Sequence, residues 1–175
     1  MSESMLTHKP YGSQEFLSTQ NRDHADEAVV EVFSMMLGFE IGPVPDTDSG
    51  QHPGEPNDRT AIVGFSGSMR GTCEVRMTSL AARSIASAML GGTPVEEGDD
   101  AIDDAIGELC NMLAGGWKNR VPTLSSDCSL SPPTVISGAD YKVHMRQPSM
   151  KLSRIYQFDV HTLYLTLHRE DLGAA

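Results

Sequence analysis

The sequence predicts an α+β fold built on an antiparallel sheet. Three observations carry that expectation. Helical and strand patterns follow one another as helix, two strands, helix, helix, then several strands, without the strict alternation of a parallel α/β fold. The strand-to-strand link at Ser68-Met69-Arg70 is short and hairpin-like. Two of the helical stretches also share a layout at a fixed offset, the mark of a pseudo-symmetric pair on one sheet face.

Residues 1–20 are polar and aperiodic, so they are expected to form a mobile leader, with 21–172 as a single domain. A helix is predicted to start near Asp23 or Asp26, run through "DEAVVEVFSMMLG" and stop at Gly38, where glycine suits a left-handed C-cap. The next stretch, "EIGPVPDTDSGQHPGEPNDRT", has four prolines and three glycines and reads as a long loop. "AIVGFSG" and "GTCEVRM" follow as a strand pair, and "TSLAARSIASAMLGG" as a helix with Thr78 or Ser79 at its N-cap and Gly91 or Gly92 at its end. An acidic turn leads into the helix "DDAIGELCNMLAGGWKN". Beyond it, "CSLSPPTVISG", "YKVHMR" and "IYQFDVHTLYLTLHR" are β-branched and aromatic in short alternations. In the last of these Tyr156, Phe158 and Val160 form one alternating set and Leu163, Leu165 and Leu167 another, so a bulge or break is expected near His161.

Composition narrows the function classes. A formal net charge of −11 works against nonspecific binding to nucleic acid or to an anionic membrane, and suits a partner offering a lysine. No apolar run reaches the length of a membrane span, and the first residues lack the pattern of a signal peptide, so a cytoplasmic protein is expected. The three cysteines, Cys73, Cys110 and Cys128, have no CxxC spacing, which favours reduced thiols over a disulfide framework or a zinc site. The six histidines contain no HExxH and no i,i+4 pair, so no metal site on this chain is expected. "GFSGS" lacks the final glycine of a nucleophile elbow, and no phosphate-binding glycine loop is present. Met35, Met36, Met89, Met112 and Met145 are read as packing residues.

On a helical wheel of about 100° per residue, Ile102, Ile106, Leu109, Leu113 and Trp117 fall on one face. Asp104, Glu108, Asn111 and Gly115 fall opposite, with Glu108 and Asn111 one turn apart. Asparagine and glycine weaken a helix, so a solvated face has no reason to choose them. The first predicted helix repeats the layout 77 residues earlier: Asp26 aligns with Asp103, Glu31 with Glu108, Ser34 with Asn111 and Gly38 with Gly115. Taken alone, Glu-x-x-Asn on an exposed helix is ordinary surface.

Asp104-x-x-x-Glu108-x-x-Asn111, followed by the prolines of "LSPP", resembles the signature of the CheC/CheX/FliY family of chemotaxis phosphatases. In that pattern an Asp or Ser precedes the Glu-x-x-Asn pair and a proline follows roughly two dozen residues on. Pro132 and Pro133 sit slightly closer than usual. The "GFSGSMRGTCEVRM" hairpin and the helix after it are also similar to the family, and a single Glu-x-x-Asn centre is most like CheX. The resemblance implies a CheC/CheX-like α/β sandwich with two long pseudo-symmetric helices and a shorter one, often a homodimer. It implies hydrolysis of the phosphoaspartate on a CheY-like response-regulator receiver, which brings its own Mg²⁺ and lysine, with no cofactor bound by this chain.

In the activity so implied, Asn111 orients the attacking water. Its neutral amide is not repelled by a phosphoryl group and can accept and donate at once. Glu108 anchors on the receiver lysine. Asp104 is a further docking contact or a favourable first-turn charge. Gly107 and Gly115 are expected to keep the ridge low for the partner, and Glu31 with Ser34 to form a degenerate second centre. The alternative is a non-catalytic receiver-binding or dimeric adaptor of the same fold.

Overall fold

The structure is a computed structural model that describes residues 11–45, 58–138, 141 and 148–170. Its helices are α1 (Ser13–Phe16), α2 (Thr19–Val32), α3 (Ser79–Met89), α4 (Asp100–Arg120) and α5 (Pro122–Ser125). The strands are β1 (Gly42–Pro43), β2 (Asp58–Gly67), β3 (Gly71–Met77), β4 (Cys128–Leu130), β5 (Thr134–Gly138), β6 (Pro148–Phe158) and β7 (His161–Glu170). They form one antiparallel sheet in the order β1-β6-β7-β3-β2, with β4 and β5 sharing the free edge of β2.

Alternation along the strands settles which face is covered. Ala61, Val63, Phe65, Cys73, Val75, Met77, Leu152, Tyr156, Phe158, Leu163, Leu165 and Leu167 are buried, and the helices pack on them. Thr72, Glu74 and Arg76 point the other way and are half-buried. The parity change expected near His161 is a hairpin. Asp159 takes φ +47°, Val160 is 92% exposed, and β6 pairs back onto β7 from Phe158↔His161 onward.

The two halves of the sheet are related. Reversing the order β1-β6-β7-β3-β2-β5 exchanges β6 with β2, β7 with β3, and β1 with β5. The helices obey the same exchange. Asp26 on α2 takes a two-pronged ion pair from Arg154 of β6 (2.9 and 2.6 Å). Asp103 on α4, its counterpart 77 residues on, takes Arg59 of β2 at 2.8 Å. Burial, then the neighbouring Asp26 carboxylate, pushes the Tyr156 phenol up in pKa, so Tyr156 stays protonated and donates to Asp26 at 2.7 Å.

Two expectations at the N-terminus are corrected. Residues 11–20 are not a mobile leader: Tyr11 and Phe16 are buried, with ring centroids 6.4 and 6.5 Å from that of Trp117. Their anchoring is tertiary and leaves no periodic trace in the sequence. The first long helix starts at Thr19, earlier than Asp23 or Asp26, because the Ser18 side chain accepts from the Asn21 amide and caps it. Residues 1–10 and 171–175 lie outside the described residues, as does most of the "YKVHMR" stretch and of the long 40–60 loop. The domain expected to begin at residue 21 thus includes Tyr11–Phe16.

Beyond α2 the chain continues as a π-helical turn, Phe33–Leu37, and the helical run stops as expected at Gly38, with φ +72°. The methionine reading is corrected at two positions: Met35 and Met36 are exposed, whereas Met89 and Met112 are half-buried and pack against the core as expected. Met145 lies outside the described residues. Cys73, Cys110 and Cys128 are buried free thiols.

Trp117 joins these layers. Its indole N–H donates to Oδ1 of Asn21, which is 2% exposed, at 2.8 Å, while the Asn21 amide donates to Phe16 O at 2.7 Å. Trp117→Phe keeps an aromatic ring but leaves a buried acceptor unpaired, at about 2 kcal/mol. Urea unfolding should show that loss as a lower midpoint with unchanged slope.

Candidate active site

α4 begins where Asp99 accepts from the Ala101 amide at 3.0 Å, with Asp100 and Asp103 in the first turn and Lys118 and Arg120 in the last. Ile102, Ile106, Leu109, Leu113 and Trp117 are all at most 1% exposed. The predicted opposite stripe faces outward: Asp104 and Glu108 are exposed, Asn111 and Gly115 half-buried. Among the described residues, nothing hydrogen-bonds or ion-pairs with the side chains of Asp104, Glu108 or Asn111. The carboxylate and the amide are free to engage another molecule.

The aligned residues of α2 differ. Glu31 ion-pairs with Arg120 from the last turn of α4, and Arg120 also reaches Glu27 at 3.5 Å. The Ser34 hydroxyl donates to the Glu31 carbonyl at 3.2 Å, inside the π-helical turn. That turn shifts the angular register beyond Val32, and the serine side chain is too short to reach out as Asn111 does. Both polar groups are committed within the chain.

Gly107 is placed differently from the expectation. It is buried: a Cβ there would stand 3.2 Å from Pro133 Cγ and 3.4 Å from Val135 Cγ2. The missing side chain makes room for this chain's own strand, so Gly107 does not present itself to a partner. Gly115 remains beside the outward stripe, and a Cβ there would make only an ordinary contact, 3.8 Å, with Leu130. Of the two downstream prolines, Pro133 therefore lies against α4 within one residue of Glu108.

Sequence reasoning missed the clamp at the start of α4. Arg59, 5% exposed, binds Asp103 at 2.8 Å and Glu97 at 3.0 Å, and the Ser137 hydroxyl donates to Asp103 at 3.1 Å. Ser79, at the start of α3, also donates to Glu97. Arg59, Ser137 and Ser79 together tie the segment entering α4 to β2, β5 and α3. The only trace in the sequence is an arginine at an inward-facing strand position.

These features meet in one family. The sequence model of the family described as "Chemotaxis phosphatase CheX" matches residues 59–156, more than half of the chain, and the chain belongs to that family. It is similar to "CheY-P phosphatase CheX" of Thermotoga maritima, 34% identical over 88 residues, an alignment that takes in 50% of this chain and 57% of the relative. The match thus spans little more than half the length of that curated relative.

Solved structures agree on the fold. The chemotaxis protein CheX of Vibrio vulnificus superposes with TM-score 0.71 at 18% identity, over 87% of this chain and 99% of the other. CheX of Desulfovibrio desulfuricans gives 0.70 at 22% identity, over 86% and 99%. The CheX-CheY-BeF3-Mg²⁺ complex of Borrelia burgdorferi gives 0.65 at 18% identity, over 87% and 96%.

The clamp carries a pH signature. The hydrogen bond from Ser79 lowers the Glu97 pKa, partly opposed by burial and aided by Arg59. A carboxylate whose folded-state pKa is depressed stabilises the fold above its unfolded pKa, and that contribution is lost as pH falls through the folded value. Glu97→Gln should therefore lower the melting temperature at neutral pH. The two proteins should converge as pH drops below the carboxylate range; a constant gap would contradict the ion pair.

Proposed function

We propose that this chain is a phosphatase acting on the phosphoaspartate of a CheY-like receiver domain, with Asn111 and Glu108 as its working groups. The observation that carries the reading is the pair of unpartnered side chains, one turn apart, on the outward face of a rigidly seated helix. Family membership supports the choice of partner, as does the Borrelia complex of a CheX with CheY, beryllium fluoride and Mg²⁺. Beryllium fluoride stands in for the phosphoryl group.

An acyl phosphate is already labile, so catalysis reduces to placing a water in line and not opposing the charge that develops. The Asn111 carbonyl oxygen accepts a hydrogen bond from that water, aiming its lone pair at phosphorus, while the NH₂ donates to a phosphoryl oxygen. A carboxylate at 111 would meet repulsion. Glu108 binds the receiver lysine through a charge-assisted bond and sets the docking register. Asp104 and Gly115 are flanking docking contacts.

The metal in this scheme belongs to the receiver, which holds its own Mg²⁺; this chain contributes the amide and the carboxylate. Glu31 and Ser34 take no part, being held by Arg120 and by the Glu31 carbonyl. Residues from Tyr11 to Glu170 act as one domain in this reading, and the family resemblance extends it to a cytoplasmic homodimer. Light scattering tests the dimer directly.

Decay of a receiver charged with acetyl phosphate should accelerate with wild type and return to its spontaneous rate with Asn111→Ala, a loss of about 100-fold. Affinity for the beryllium-fluoride-activated receiver should be retained by Asn111→Ala and weakened about tenfold or more by Glu108→Lys. Wild type that docks without shortening the receiver's phosphorylated lifetime would be an adaptor, and the enzyme reading would fall.

A further inference from the structure

Positions 103, 107, 111 and 115 lie four apart along one flank of α4, and a single strip of chain runs beside them. Ser137 bonds Asp103 at 3.1 Å. Pro133 and Val135 pack where Gly107 lacks a Cβ, and Leu130 lies over Gly115. Asn111 is the remaining position of the four. Along the helix it falls between the turns that meet Leu130 and Pro133, and it is half-buried while Glu108, on the crest, is exposed.

The strip is stiff. Ser131 is tied to Gly64 by its amide, which donates to the Gly64 carbonyl at 2.9 Å, and by its hydroxyl, which accepts from the Gly64 amide at 2.8 Å. Residues Thr134–Gly138 pair with β2. Pro132 and Pro133 have fixed φ and no N–H, and the Ser131 N–H is already used, so the stretch offers no backbone donor to an asparagine beside it. A wall of this kind can limit a neighbouring amide by bulk alone while leaving its oxygen and nitrogen open.

We infer that the Gly107–Pro133 contact sets the height of this wall and so positions the Asn111 amide. Gly107 and Pro133 are then positioning residues for the hydrolysis proposed above, on which this inference rests. The fit leaves no slack, since a Cβ at 107 would stand 3.2 Å from Pro133 Cγ and 3.4 Å from its Cβ. The strip must then retreat by a few tenths of an ångström. Displacement of a catalytic group by about 1 Å costs on the order of 100-fold, so Gly107→Ala should lower kcat roughly tenfold.

The lesion is on the flank, not the crest, so KM and affinity for the beryllium-fluoride-activated receiver should stay within about twofold of wild type. Pro133→Ala opens a gap at the same point and should also lower kcat. In the double variant the new Cβ occupies the space the ring vacated, and kcat should recover, a non-additivity that mere loss of fold would not produce. Alanine is the better helix former, so the Gly107→Ala helix itself is not weakened; should that protein still fail to fold, the kcat-against-KM split of Pro133→Ala decides.

Unchanged kcat in Gly107→Ala, an affinity loss matching the rate loss, or additive single effects would each overturn the inference. The two readings fail separately. Inactive wild type removes the phosphatase itself. Active wild type that Asn111→Ala abolishes, with Gly107→Ala indifferent, removes only the wall.

Discussion

Ile102, Ile106, Leu109, Leu113 and Trp117 leave α4 one orientation on the sheet, and the outward ridge of Glu108 and Asn111 exists only because of it. Each of these five side chains is fully buried, at about 2 kcal/mol apiece. Turning the ridge inward would expose all five, a loss of about 10 kcal/mol, comparable to the whole stability of a domain. It would also desolvate Glu108 without a partner. The Arg59–Asp103–Ser137 clamp adds direction rather than bulk stability, pinning the first turn so that the helix neither rotates nor slides.

Pseudo-symmetry makes the molecule its own control. Both halves place an aspartate at matching helix positions and hold it with an inward-facing arginine from the strand beneath, Arg154 of β6 for Asp26 and Arg59 of β2 for Asp103. From that common frame the two ridges diverge. On α2 a π-helical turn shifts the register, and Arg120 engages Glu31. On α4 the helix stays regular through Asn111, and the β4–β5 strip walls one flank while leaving the crest open. The same scaffold therefore supports one ridge turned to the chain itself and one turned outward.

Much of this was legible in the sequence because its signals were local. The cap at Thr78, the hairpin at Ser68-Met69-Arg70 and the α4 stripe each rest on residues within a turn or two of one another, and the 77-residue echo compares two such local patterns. What escaped notice depends on distant contacts. Tyr11 and Phe16 are isolated aromatics in a polar stretch, and only Trp117, about a hundred residues on, reveals them as core. Arg59 shows nothing of its role until Asp103 and Glu97 are brought to it. In the sequence Gly107 reads as a low point on an exposed ridge, whereas its neighbour in space is Pro133 of the same chain.

The proposed hydrolysis requires the Asn111 amide to enter the partner's reaction centre, and side-chain amide NMR reads that directly. With ¹⁵N-labelled protein, the Asn111 NH₂ pair should shift and slow in solvent exchange on adding a receiver activated by beryllium fluoride and Mg²⁺. The inactivated receiver should leave the pair in place. An Asn111 pair that stays unmoved while resonances elsewhere report saturating binding of the activated receiver would contradict the central claim.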